Sequence, residues 1–123
     1  MSAVINLAIQ QGATFRHQLI LKDSLNALYD LTGFGAHLQI RRTIHDSTVI
    51  IELSSYNGRI ILGGVQGTLE LILTDTETNA LTGWSNAVYD LEIKAGASSA
   101  WTGTGDVIRL INGSVTLSLG VTR

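Results

Sequence analysis

Cysteine and proline are both absent from this 123-residue chain, charged residues make up only 15% of it and aromatic rings 6%. Without cysteine there is no disulfide staple and no thiolate metal ligand, and the redox compartment stays open. The shortage of charge, set against 45% hydrophobic residues, excludes disorder, because such a chain has ample apolar area to offset its ordering entropy. A strong positive field is also lacking. The formal net charge is −2, and Arg41-Arg42 is the only basic cluster, whereas a sequence-independent grip on nucleic acid needs several clustered Lys and Arg. No apolar run approaches the roughly 18 residues of a membrane span. The opening "MSAVINLAIQQG" lacks the basic n-region and long apolar core of a signal peptide. The expectation is a soluble protein made in the cytoplasm, with no nucleic-acid and no membrane partner.

What the chain does have is a period of two. Phe15, His17, Leu19 and Leu21 alternate with Arg16, Gln18 and Ile20; Ala36, Leu38 and Ile40 with His37, Gln39 and Arg41. Leu69, Leu71 and Leu73, then Tyr89, Leu91 and Ile93, then Val115, Leu117 and Leu119 continue the pattern. Successive strand side chains point to opposite faces, so each run buries one face and shows the other, as antiparallel sheets do. Strand candidates fall at 5–9, 14–21, 36–43, 48–53, 59–62, 68–73, 87–94, 107–111 and 114–119. About eight or nine short strands with frequent Gly, Asn and Asp punctuation predict one all-β domain over 1–123, an antiparallel β-sandwich of immunoglobulin-like type. Asn57-Gly58, between "TVIIEL" and "RIIL", has the strongest short hairpin signature. By rule, Asn112-Gly113 fits either a second hairpin or a Gly bulge within one long strand. One segment breaks the period: Thr74 and Glu77 stand at capping-box spacing, predicting a helical turn from Asp75 to Leu81 with Gly83 as its left-handed terminator.

Candidate sites are few. His17, His37 and His45 lack the tight spacing of a zinc or iron motif, and no dense Asp-x-Asp loop suggests calcium. There is neither a Gly-x-Ser-x-Gly elbow nor a phosphate loop, since "GTGDV" precedes a strand where a helix start is required. A hydrolase or isomerase would need a polar pocket that no motif announces, so no enzyme activity and no cofactor is expected. Asp90 and Glu92 share an outward strand face with Lys94, which reads as a solvated face or a contact face for a partner. The twice-used corner Leu31-Thr32-Gly33-Phe34 and Leu81-Thr82-Gly83-Trp84 is expected to plug the sandwich ends. Trp101, in the small-residue loop "AGASSAWTGTGD", is the leading candidate contact residue, with Tyr56 beside it.

The ordered string "NLAIQQGATFRHQLILKD", "YDLTGFGAHLQIRR", "VIIELSSYNGRIIL", "GTLELILTDTETNAL", "VYDLEIKAG", "RLINGSVTLSLGVTR" resembles a family of small β-sandwich virion proteins of tailed bacteriophages, encoded near tail or tail-fibre genes. It is similar in pattern to the immunoglobulin-like N-terminal domain of phage baseplate upper proteins. The resemblance runs from Ile5 to Arg123, departs at His17 where an aliphatic residue is usual, and tilts Asn112-Gly113 toward one long C-terminal strand. It implies a non-enzymatic adaptor or decoration subunit, located in the virion, whose partners are copies of itself and neighbouring tail, baseplate, fibre or capsid proteins. Ile20, Ile72 and Ile108, on nominally polar faces, would then be second-sheet or interface contacts, and the "VIIEL" and "RIIL" strands internal or capped by a partner. A carbohydrate-binding module is the rival reading, and it requires Trp101 with Trp84 or Tyr56 on one exposed face.

Overall fold

The computed structural model describes residues 3–22, 25–96, 101 and 105–119. In chain order the described elements are β1 (Ala3–Val4), β2 (Leu7–Gln10), β3 (Phe15–Ile20), β4 (Phe34–Arg41), β5 (Ile51–Ser54), β6 (Ile60–Leu62), β7 (Thr68–Leu73), α1 (Asp75–Asn79), β8 (Asn86–Ala95) and β9 (Val107–Ser118). They make two sheets. One runs β1-β9-β8-β4-β5, with β2 also on β9, and the other runs β3-β7-β6. This is the immunoglobulin-type sandwich: β3, β7 and β6 occupy the B, E and D positions, and β5, β4, β8 and β9 the C′, C, F and G positions.

Alternation builds the core as expected. Leu69, Leu71 and Leu73 of β7 face Leu38 and Ile40 of β4, Leu91 and Ile93 of β8 and Val115 of β9 as one fully buried cluster. Both Leu-Thr-Gly-aromatic corners are structural. Leu31 and Leu81 are buried anchors, Gly33 and Gly83 adopt positive φ, Trp84 is buried at 9% exposure, and half-buried Phe34 meets Tyr29 edge-on at 6.2 Å. The capping box at Thr74 and Glu77 forms in both directions. Its hydrogen bonds, first those to the Thr74 backbone and then the Arg59 guanidinium, hold the Glu77 carboxyl below its usual range. The helix stops earlier than the sequence suggests, at Asn79, with right-handed Ala80 as cap. Gly83 therefore turns the corner and does not terminate the helix.

Further expectations are corrected or refined. Residues 5–9 do not form one antiparallel strand: β1 and β2 flank a break at Ile5 and Asn6, and both pair parallel to β9 in a single register. The break sits opposite Gly113, where Ile5 donates its N–H to the Asn112 carbonyl and Asn6 Oδ1 accepts from Ser114 N–H. Asn112-Gly113 lies inside the long strand β9, but the extra residue is Leu110, between the pairs Leu91–Ile111 and Glu92–Arg109. A one-residue bulge swaps faces, which is why Ile108 pairs with Ile93 and packs on the core.

Asn57-Gly58 makes a turn but no hairpin, because β5 pairs with β4 and β6 with β7. The turn carries the chain from one sheet to the other, so "VIIEL" and "RIIL" end as edge strands of their sheets, not as internal ones. The β5 edge is capped from within the chain. The Glu52 carbonyl accepts from Asn57 Nδ2 at 3.0 Å and from Arg59 Nη1 at 2.9 Å, and Ser54 N–H donates to Asn57 Oδ1 at 2.9 Å. Replacing Asn57 by Ala removes the two bonds its side chain makes to this edge and leaves only the Arg59 bond there. We expect a loss of about 1–3 kcal/mol, with light scattering rising during thermal unfolding where the parent stays clear.

Tyr89 offers a second test. It points into the core and its hydroxyl donates to the Ile5 carbonyl at 2.6 Å, fastening the broken N-terminal strand. Burial, aided by the Asp90 charge, pushes its pKa up to about 12 from the ordinary 10.0. A folded-state pKa above the unfolded one contributes stability that is whole below pH 10.0 and lost as pH rises toward 12. Alkaline titration of the melting temperature is therefore expected to fall across that window, and Tyr89→Phe should flatten this part of the fall.

Candidate contact site on the six-stranded sheet

Adjacent strands β4 and β8 place His37, Gln39 and Arg41 beside Asp90, Glu92 and Lys94 on the outer face of the larger sheet. Their registers put His37 opposite Glu92 and Gln39 opposite Asp90, while β5 brings Glu52 opposite Gln39. Cross-strand neighbours on one face stand within side-chain reach. The result is a continuous polar chain across the sheet. Arg41 donates to the Asp46 carbonyl at 2.9 Å and to Gln39 Oε1 at 2.8 Å, and Gln39 Nε2 donates to Glu52 Oε2 at 3.0 Å. The same Glu52 oxygen lies 3.6 Å from His37 Nδ1, and His37 Nε2 meets Glu92 Oε1 at 2.9 Å.

Trp101 roofs this chain. Its ring stacks on the His37 imidazole with centroids 3.7 Å apart and planes 16° from parallel, and Lys94 Nζ lies 5.8 Å from the indole centroid. Such ring pairs contribute about 0.5–1.5 kcal/mol beyond the area they bury. Beside it a groove of about 330 Å³ is lined by His37, Gln39, Arg41, Asp90, Glu92 and Asn112, among others. The Asn112 Oδ1 is buried and has no partner among the described residues.

The four residues singled out from sequence fare differently. Glu92 and Trp101 meet at His37, as members of one cluster. Asp90 shares the groove, is exposed, and reaches Arg109 only at 3.8 Å. Tyr56 follows the end of β5, and its pKa is raised, first by desolvation and then by the Glu52 carboxylate, while a hydrogen bond to Ser54 opposes the shift. Glu92, Asp90 and Trp101 therefore share the outer side of the six-stranded sheet, while Tyr56 stands in the turn after β5 and does not line the groove. Trp84 does not join them, because it is buried. His37, Glu52, Gln39 and Arg41 are not legible as a group in the sequence. Alternation places His37 on the outer face, but only the register of three strands reveals the carboxylates on either side of it.

Chemically the face can hold a partner by an aromatic surface, fixed carboxylates and guanidinium groups. Among the described residues no three His, Asp or Glu side chains are grouped to hold a metal ion, and no helix is long and apolar enough to cross a membrane. Set against protein-family models and curated proteins, the chain matches none.

Proposed function

We propose that this protein is a non-enzymatic structural subunit of a tailed-bacteriophage virion, an adaptor or decoration protein of the tail, baseplate or fibre-attachment region. The observation that carries the assembly role is the outer sheet face, where Trp101, His37, Glu92, Glu52, Gln39 and Arg41 are held in one cross-strand network. A pre-ordered face that combines a tryptophan with arginine and charged partners has the make-up of a protein contact, with little side-chain entropy left to lose on binding. The phage setting is supported by the ordered resemblance that runs from Ile5 to Arg123, and its partners are virion neighbours or further copies.

The test is mass spectrometry and cryo-EM of purified particles from cells that make the protein. Recovery in the particles, with Trp101→Ala incorporated at least about tenfold less, supports the reading. A protein found only free and absent from particles overturns it. Glycan-array binding that Trp101→Ala abolishes would instead move the function to carbohydrate recognition through the Trp101 side of the sheet.

A further inference from the structure

A sandwich of two open sheets has four edges, and this chain treats them unequally. The β5 edge is capped by Asn57 and Arg59. The β1/β2 edge is interrupted at Ile5 and Asn6. Strand β6 offers three residues before the 3-10 turn at Gly64–Gln66. Strand β3, at the outer side of the smaller sheet, is six residues long and regular.

The backbone register of β3 is decisive. Leu21 N–H donates to the Gly67 carbonyl at 2.7 Å, one step beyond the pairs running from Phe15–Leu73 to Ile20–Thr68. Antiparallel bonding alternates, so Phe15, His17 and Leu19 exchange hydrogen bonds with β7. Arg16, Gln18 and Ile20 consequently turn their N–H and C=O groups away from the sheet, and no described residue pairs with them. Their side chains stand on the outer face, where Ile20 is 58% exposed.

We propose that β3 pairs antiparallel with β3 of a second copy about a two-fold axis at Gln18, joining two three-stranded sheets into one. This register matches every outward amide of one strand to an outward carbonyl of the other, and shifting it by two residues loses part of the set. Gln18 faces its own counterpart, and its amide both donates and accepts. Arg16, the one charged side chain of β3, faces Ile20 of the second copy and so never meets another Arg16; its aliphatic stem covers the exposed isoleucine. On the inner side His17 faces Leu19 of the second copy. Charge placement and hydrogen bonding are thus self-complementary, as an isologous contact requires. A strand edge buries less than the roughly 1,600 Å² of a standard interface, so the dimer is weak and concentration-dependent. It stands independently of the outer-face contact and of the phage setting.

Analytical ultracentrifugation of the full chain from about 1 μM to about 1 mM should follow a monomer–dimer equilibrium. Gln18→Pro removes only an outward N–H, which edge strands tolerate, and should raise the dissociation constant by about tenfold or more. Gln18→Cys adds the chain's sole thiol beside its symmetry mate, and mild oxidation should give a covalent dimer while Thr116→Cys does not. This crosslink also decides the matter if Gln18→Pro fails to fold. A chain that stays monomeric throughout and leaves Cys variants equally uncrosslinked overturns the proposal. So does a dimer that Gln18→Pro leaves unchanged.

Discussion

Gly113→Ala is expected to release the N-terminal strand from the larger sheet, lowering stability by about 1–3 kcal/mol and the melting temperature by roughly 4–10 °C. Gly113 does not belong to the positive-φ glycines of this chain, so backbone freedom is not the reason for it. Space is the reason. A Cβ at this position would stand 2.2 Å from the Ile5 carbonyl oxygen and 2.8 Å from its carbon. Both contacts are backbone, and backbone cannot swing aside as the end of a flexible side chain can. The same carbonyl accepts the Tyr89 hydroxyl, so the added methyl disturbs a buried hydrogen bond as well as the strand pairing. Hydrogen exchange should locate the damage, with protection lost at Ile5 and along β2 while the amides shared by β4 and β8 keep theirs. Thr116→Ala, on the exposed side of the same strand, should leave all of this unchanged. Equal protection of β2 in Gly113→Ala and the parent would show that the close approach carries no weight.

Gly113 also marks where sequence reading stops. The alternation of β3, β4, β7 and β8 assigns those strands and their buried faces, because a period of two is a local property of the chain. The capping box at Thr74 and Glu77 and the two Leu-Thr-Gly-aromatic corners are legible for the same reason. Pairing is not local. Asn57-Gly58 has the residues of a hairpin turn, yet the strands it joins belong to different sheets, and nothing within those few residues records that. The Leu110 bulge is hidden because its effect, turning Ile108 inward, is indistinguishable in sequence from an isoleucine on a polar face.

The contact site divides along the same line. Trp101, Glu92, Asp90 and Tyr56 could be named one at a time from residue type and position. The unit the first three serve needs β5, β4 and β8 side by side, so that a histidine lies between carboxylates from two different strands under the indole. Gln11 is another example. In sequence it is one of two glutamines before a glycine, whereas in the fold it is buried and its Nε2 donates to the Leu81 carbonyl at 2.9 Å. Thr78 accepts from Gly12 N–H and donates to the Ala13 carbonyl, so the β2–β3 turn and the helical corner are latched together across more than half the chain.

The largest single effect should come from the residue that connects core to contact face. Leu91 lies on β8 between β4 and β9, is fully buried, and pairs with Leu38 on one side and Ile111 on the other. Leu91→Ala removes apolar area and leaves a cavity in a place where central strands cannot close in without breaking ladder bonds. The expected cost is about 2–5 kcal/mol, a fall in melting temperature of roughly 8–20 °C. Urea titration should show a lower midpoint with an unchanged slope, since the surface exposed on unfolding is nearly the same. Leu91→Met, which conserves volume, should cost less than about 1.5 kcal/mol, and Val107→Ala at an exposed position should stay within about 0.5 kcal/mol. The consequence for the outer face follows from the pleat. Leu91 is flanked in sequence by Asp90 and Glu92, so their aim is set by how firmly Leu91 is gripped below. Quenching of Trp101 fluorescence by iodide should therefore increase in Leu91→Ala under conditions where circular dichroism shows the sandwich still folded. With Trp84 buried, a change in quenching reports chiefly on the indole stacked over His37. If Leu91→Ala loosened the core yet left that quenching at the parent value, the face would be held by its own hydrogen bonds alone.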